Sequence, residues 1–218
     1  MVRAAVLDRT RVALRLHERP AIADNAVEQR LADVLGAVTI PVSQWFDLWK
    51  HIRWILPTWD RLAFQMQHQQ QSNWCWAATS TSVALFYDPS STWTQCAVAN
   101  GELGRTDCCG VGASGPCNVY GFLDSSLSRV GHLDHMESNI APFQSVDDEI
   151  DGGRPIGIRV AWSGGGAHFL TIIGYLEDAT NYVAVDDPIY GKSDLTYDTL
   201  KTSYQGSGSW THTYYTKA

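Results

Sequence analysis

The spacing of apolar residues changes along the chain from a helical period to a strand-like alternation. Helical spacing predicts helices over the following stretches: 24–37, 43–56, 75–88, 95–100, 118–131 and 145–150. Strand-like runs follow over 154–162, 167–177, 181–186, 193–197 and 209–216, with a single helical turn at 198–201. Helices first and an antiparallel sheet afterwards is the order of an α+β fold, and the pattern predicts that fold class.

The third predicted helix begins with a cysteine. Ser72 and Asn73 are residue types that cap helix N-termini, so the helix is predicted to begin just before Cys75. Unpaired N–H groups and the helix macrodipole at that position favour the thiolate, which is the nucleophilic form of the side chain. Gln69 lies six residues upstream, where its side-chain amide and the N–H of Cys75 can form an oxyanion hole. The alternative is that Cys75 is one more small, buried apolar residue.

A histidine and two aspartates stand at the ends of neighbouring predicted strands. His168 follows the glycine triplet 164–166 at the start of one strand, and Asp186 and Asp187 end the next strand before Pro188. Neighbouring strands can bring such residues together, and the chain order cysteine, histidine, aspartate fits a nucleophile, its base and the carboxylate that orients the base. Because side chains alternate along a strand, the two aspartates point to opposite faces.

These motifs resemble those of a known family. The sequence Gln-Ser-Asn-Trp-Cys-Trp-Ala-Ala around Cys75, Ala-His-Phe-Leu around His168 and Asp-Asp-Pro at 186–188 resemble the bacterial papain-like cysteine proteases of the avirulence-effector (AvrRpt) type. They are also similar to the leader-removing peptidases of bacteriocin transporters. The resemblance covers residues 66–215. It implies a papain-like fold, in which an N-terminal helical lobe with the catalytic helix packs on an antiparallel β-sheet.

The resemblance also assigns roles to individual residues. It implies the following set: Cys75 as nucleophile, His168 as general base and acid, Asp187 as the carboxylate before proline that orients the imidazole, and Gln69 as the oxyanion donor. Asp186 leaves the choice of carboxylate open, and the glutamines at 70 and 71 leave the register of the oxyanion glutamine open. The implied reaction is hydrolysis of peptide bonds, with neither a metal nor an organic cofactor.

The function that follows from the resemblance is that of a cysteine endopeptidase, an exported bacterial effector or toxin. Its expected partners are a protein or peptide substrate and a cognate immunity or inhibitor protein. Two alternatives use the same fold. A transglutaminase-like or deamidating toxin would apply the same triad to a glutamine side chain, and a papain-fold binding module would carry an inactive triad.

Five cysteines divide into a cluster of four and a single one. Cys96, Cys108, Cys109 and Cys117 lie within 22 residues, which leaves Cys75 unpaired and supports its reactivity. Adjacent cysteines rarely bridge each other, so Cys108 and Cys109 are predicted to form disulfides with Cys96 and Cys117, in either order. The alternative is a zinc site of four thiolates, although the two Cys-x-x-Cys knuckles of a zinc ribbon are missing.

The charge of the chain is unevenly distributed. The 218 residues, with a hydrophobic fraction of 44%, suffice for one globular domain with an extension. Residues 1–65 carry nine Lys/Arg and seven Asp/Glu, a net charge of +2, whereas residues 66–218 carry seven and sixteen, a net charge of −9. We therefore expect an N-terminal extension, 1–65, and a papain-like catalytic domain, 66–218. The extension is interpreted as a pro-segment, a secretion or partner element, or an integral part of the fold.

Composition also limits the partners and the destination of the protein. The net charge of −7 argues against a nucleic-acid partner. No run approaches the roughly 18 apolar residues of a membrane span, and the N-terminus lacks the apolar core of an ordinary signal peptide. Because disulfides imply an oxidising destination, the protein is predicted to be cytoplasmic before export and then secreted by a route without an ordinary signal peptide.

Overall fold

The computed structural model describes residues 59–218, and the helices predicted at 24–37 and 43–56 lie outside the described residues. The strands are β1 (Asp60–Arg61), β2 (Leu133–Glu137), β3 (Ile156–Trp162), β4 (Ala167–Leu176), β5 (Tyr182–Asp187), β6 (Gly191–Thr196) and β7 (Gly208–Thr216). The helices are α1 (Cys75–Tyr87), α2 (Gln95–Leu103), α3 (Leu123–Val130), α4 (Phe143–Asp151) and α5 (Tyr197–Thr202). Most of the sheet follows the first helices, and the prediction of an α+β fold is confirmed.

The strands form one antiparallel sheet in the order β2-β7-β3-β4-β5-β6, with β1 added to β4. Strand β1 pairs with Gly174 and Tyr175 of β4. These residues follow Ile172, the last residue of β4 that pairs with β3. Gly174 permits this close approach, because a Cβ there would lie 2.6 Å from the carbonyl oxygen of Asp60. The sheet therefore extends N-terminal of residue 66, where the catalytic domain is predicted to begin. The division of the chain at 65/66 stays a prediction.

Both faces of the central strand β4 are buried. On one face, Phe169 and Ile173 of β4 share a core cluster with Trp76 and Val83 of α1. On the other face, Leu170 and Ile172 of β4 belong to a second cluster, in which the side chains of α4 and α5 pack. Successive residues of β4 thus supply both cores, as the alternation of a strand requires. The predicted packing of the catalytic helix on the sheet is confirmed.

Helix α1 is the central helix of the described chain. Residues 75–84 are all buried, so this helix has no polar face toward solvent. Its Ser80 and Ser82 hydroxyls donate to carbonyl oxygens of the preceding helical turn. The helix ends at Tyr87 because Pro89 disfavours helical backbone in the residue before it, and Asp88 is extended. No helix among residues 59–218 is both long and apolar enough to cross a membrane.

Two elements differ from the prediction. Helix α3 begins at Leu123 rather than at residue 118, because the carbonyl oxygens on either side of Asn118 accept hydrogen bonds from the indoles of Trp74 and Trp76. These tertiary bonds hold the chain against α1 and take carbonyl groups that a helix would use. Strand β2 was not predicted, since it is an edge strand with three consecutive exposed residues and no apolar alternation.

Candidate active site

Cys75 is the first residue of α1 and is 7% exposed. Trp74 is the N-cap, and no side chain caps the helix. The prediction that Ser72 and Asn73 provide the cap is therefore wrong. The reason is that both side chains bond Asn118: the Asn73 amide donates to the carbonyl oxygen of Asn118, and the Ser72 hydroxyl accepts from the Asn118 amide. Cys75 nevertheless stands at a helix N-terminus, and it is the free cysteine of the described chain.

The histidine and the two aspartates lie on neighbouring strands. His168 is on β4 and Asp187 is at the end of β5. The Nε2 atom of His168 lies 2.9 Å from Oδ1 and 3.0 Å from Oδ2 of Asp187. Asp186 instead accepts a hydrogen bond from the backbone N–H of Met66, at 2.9 Å. Of the two adjacent carboxylates, Asp187 is the one that contacts the histidine.

Four donors hold the carboxylate of Asp187. Besides His168, the backbone N–H groups of Ile189 and Tyr190 donate to Oδ1 at 2.7 and 3.0 Å, and the hydroxyl of Tyr204 donates to Oδ2 at 2.8 Å. Burial raises the pKa of Asp187, but the bond and charge of His168 and the two backbone donors lower it by more, so it lies below its ordinary value. The ionised carboxylate can only accept, so Nε2 of His168 carries a hydrogen.

The ring of His168 joins the thiol to the carboxylate. Burial lowers the pKa of His168, but hydrogen bonds and charges of Asp187 and Cys75 raise it by more, to about 9. The imidazole is therefore protonated at neutral pH. Because Nε2 bonds Asp187, Nδ1 is the ring nitrogen left for the thiol of Cys75. This order of thiol, imidazole and carboxylate is the one that nucleophilic catalysis by cysteine uses.

Aromatic rings cover the ion pair between His168 and Asp187. Trp162, the last residue of β3, stacks on the imidazole with ring centroids 6.1 Å apart and also stacks on Tyr204, at 6.3 Å. Tyr190 meets the imidazole edge-on. The side chains of the ion pair are consequently only 4% and 0% exposed, which strengthens the attraction between them. Sequence reasoning missed Trp162 and Tyr204, because only the folded chain brings them to the pair.

Comparison with protein-family models identifies the family to which this chain belongs. The family model for papain-like cysteine protease AvrRpt2 matches residues 57–205, more than half of the chain. The chain belongs to this family. A comparison with curated proteins finds no match. The matched range includes α1, β4 and β5, the three elements that supply the thiol, the imidazole and the carboxylate. Membership of the AvrRpt2 family makes this protein a papain-like cysteine protease.

In this AvrRpt2-family protease, Gln69 is buried in the segment before α1. Both hydrogens of its side-chain amide are donated, to the carbonyl oxygens of Gln71 at 2.9 Å and Ser72 at 2.8 Å. Its Oε1 is buried and has no hydrogen-bond partner. Donation to an oxyanion requires one of the two amide hydrogens to leave its carbonyl oxygen. The role of Gln69 as an oxyanion donor stays a prediction.

The other four cysteines of the protease form two disulfides, as predicted. The outer disulfide joins Cys96 to Cys109, which is exposed, and the inner disulfide joins Cys108 to Cys117, both fully buried. The four-thiolate zinc site is therefore not formed. Among residues 59–218, the group of possible metal ligands that comes together is Asp107 with the two inner cysteines, whose sulfurs are bonded to each other. The inner disulfide anchors the chain just before Asn118.

Proposed function

We propose that this papain-like protease is an endopeptidase whose catalytic triad is Cys75, His168 and Asp187. The observation that carries the proposal is the buried ion pair in which Nε2 of His168 bonds the carboxylate of Asp187, on a ring whose pKa is also raised by the Cys75 thiol. A cysteine at a helix N-terminus beside a protonated histidine is suited to acyl transfer through a thioester.

In the proposed first step, the sulfur of Cys75 attacks the carbonyl carbon of a peptide bond. A sulfur–carbon bond forms, and negative charge moves to the carbonyl oxygen, which accepts a hydrogen bond from the backbone N–H of Cys75 at the N-terminus of α1. His168 gives its Nδ1 proton to the peptide nitrogen, the carbon–nitrogen bond breaks, and the amine product leaves. Asp187 stays ionised throughout and holds the imidazole in place.

In the second step, water releases the acyl group. His168, neutral after the first step, takes a proton from the water molecule while the water oxygen bonds to the acyl carbon. The sulfur–carbon bond then breaks, and the carboxylic acid product leaves. The thiolate of Cys75 and the protonated His168 are restored for the next cycle. All of these proton transfers pass through one imidazole, whose orientation depends on Asp187.

The same proposal includes an exported bacterial effector or toxin that cleaves a protein or peptide substrate. The inner and outer disulfides support export, because disulfides form and persist in oxidising compartments. A producing cell that makes an active protease also needs protection before export, for which a cognate immunity or inhibitor protein is the expected partner.

Mass spectrometry of treated casein tests the proposed reaction. Wild-type protein and Cys75→Ala are incubated with the same casein, and the products are searched for new chain termini and for altered glutamines. The proposed endopeptidase produces new termini with wild-type protein and none with Cys75→Ala. Deamidated glutamines without new termini would support the deamidating toxin instead. Casein left unchanged by wild-type protein would support the binding module.

A further inference from the structure

Asn118 makes three hydrogen bonds to the two residues that precede Trp74 and the cysteine of α1. Its side-chain Oδ1 accepts from the backbone N–H of Asn73, and its backbone oxygen accepts from the side-chain amide of Asn73, both at 2.9 Å. Its own side-chain amide donates to the hydroxyl of Ser72, also at 2.9 Å. One residue therefore holds both of the side chains that the sequence predicts as helix caps.

These bonds leave the N-terminus of α1 without a capping side chain. Serine and asparagine side chains in this position ordinarily accept from the first backbone N–H groups of a helix. In this protease they do not, and α1 begins with Trp74 as an N-cap that makes no side-chain cap bond. The N–H groups of the first turn, including that of Cys75, keep their partial positive charge free of a competing side-chain oxygen. Negative charge that develops on a substrate at this helix end can therefore accept hydrogen bonds from these backbone N–H groups.

The backbone around Asn118 is held independently of its side chain. The carbonyl oxygen of Cys117 accepts from the indole of Trp74 at 2.7 Å, and that of Val119 accepts from the indole of Trp76 at 3.2 Å. The inner disulfide fixes the chain one residue earlier. A change of the Asn118 side chain therefore removes its bonds to the hydroxyl of Ser72 and to the backbone N–H of Asn73. The bond from the Asn73 amide to the backbone oxygen of Asn118 and the anchors of the segment stay in place.

We propose that Asn118 is a positioning residue of the active site, which holds Ser72 and Asn73 away from the N-terminus of α1 and so keeps the N–H of Cys75 free for the oxyanion. This inference rests on the proposed endopeptidase, in which that N–H stabilises the tetrahedral intermediate. Asn118 acts through its neighbours and does not itself touch the substrate.

The experiment compares four proteins: wild type, Asn118→Ala, the double variant Asn118→Ala/Ser72→Ala, and Asn100→Ala. Asn100 is the matched control, because its side chain bonds Cys108 and Cys109 of the same disulfide-bonded region rather than residues 72 or 73. Each protein is brought to equal folded concentration by circular dichroism. The measurements are kcat and KM for fluorescein-labelled casein and the inhibition constant of the peptide aldehyde acetyl-Leu-Leu-argininal, whose adduct with a thiolate resembles the tetrahedral intermediate.

We expect Asn118→Ala to lower kcat about tenfold with KM changed by less than about twofold, because the lost interaction belongs to the transition state. Aldehyde binding should weaken by the same factor as kcat. Asn100→Ala should keep the wild-type kcat. The double variant should recover part of the lost rate, since residue 72 then has no hydroxyl with which to cap α1. A merely structural role of Asn118 predicts no such recovery.

Three results would overturn the inference: a wild-type kcat in Asn118→Ala, an equal loss in Asn100→Ala, or a double variant slower than Asn118→Ala. Failure of the proposed function has a different signature. In that case wild-type protein and Cys75→Ala would cleave casein at the same rate, and the positioning role would fall together with the triad.

Discussion

Replacing Asp187 by asparagine removes the charge that faces His168 but keeps the size of the side chain. The pKa of His168 is about 9 in the folded protein, against an ordinary value of 6.5. At 1.36 kcal/mol per pKa unit, the difference corresponds to roughly 3 kcal/mol in favour of the folded, protonated form. Because the folded pKa is the higher one, this stabilisation is fully present below pH 6.5 and is lost as the pH rises from there through 9.

In Asp187→Asn, burial continues to lower the pKa of His168 while the carboxylate no longer raises it. We expect the alkaline limb of kcat/KM for casein cleavage to move down by about two pH units. At neutral pH, kcat/KM should fall on the order of a hundredfold, since the imidazole loses both its charge and its orientation. The free energy of unfolding at acidic pH should lose most of the roughly 3 kcal/mol derived above.

The assay is the rate of cleavage of fluorescein-labelled casein across the pH range of both limbs, with unfolding by urea followed in the same buffers. Asp186→Asn is the matched control: both aspartates are 3% exposed and the charge change is identical, but Asp186 accepts from the backbone of Met66. A greater loss of activity in Asp186→Asn than in Asp187→Asn would refute the reasoning. An alkaline limb that stays at the wild-type pH in Asp187→Asn would refute it equally.

Three further changes test the surroundings of the site. Tyr204→Phe removes a buried donor to Asp187, so we expect urea denaturation to show a loss of about 1.5–3 kcal/mol in unfolding free energy; an unchanged midpoint would contradict this. Glutathione should reduce the outer disulfide before the buried inner one, as followed by mass mapping. Cleavage of casein should decline only as the inner disulfide is reduced; a decline that follows reduction of the outer disulfide would contradict this expectation. Gly121→Ala places a Cβ 2.4 Å from the ring of Trp76 and should lower the free energy of unfolding by about 1–3 kcal/mol. In the control Gly115→Ala the nearest neighbouring atom is 4.0 Å from the new Cβ, so the loss should be smaller. Equal losses in the two variants would exclude the clash.

Local signals predict the main elements of this fold. The proline at position 89 correctly predicts the end of α1, and Gly131, with a left-handed φ of 91°, ends α3 as its position predicts. The strand-like runs predict β3, β4 and β5 to within two residues at each end. In each case the deciding residues lie within a few positions of the feature, so no tertiary contact needs to be known.

Long-range contacts decide what the sequence pattern misses. Asn118 bonds Asn73 across 45 positions of sequence, and this contact removes the predicted cap of α1. The indole bonds of Trp74 and Trp76, 43 positions away, remove the first turn predicted for α3. The choice between two adjacent aspartates depends on how β5 lies beside β4, which alternation alone does not fix. Tyr204 reaches Asp187 from the loop before β7, and no local pattern marks it. When a catalytic site is assembled from distant segments, the sequence predicts which types of residue take part. It does not predict all of the residues that contact one another in the folded site.

In the proposed mechanism, Cys75 carries the acyl group during hydrolysis. The most direct measurement is to mix the protein with a peptide p-nitrophenyl ester, stop the reaction in acid, and locate the acyl adduct by mass spectrometry. The mechanism predicts a single acyl group on Cys75 of the wild-type protein and none on Cys75→Ala, because the other cysteines of the described chain are bonded in disulfides. An acyl group on a different residue of the wild-type protein, or ester turnover by Cys75→Ala at the wild-type rate, would contradict it.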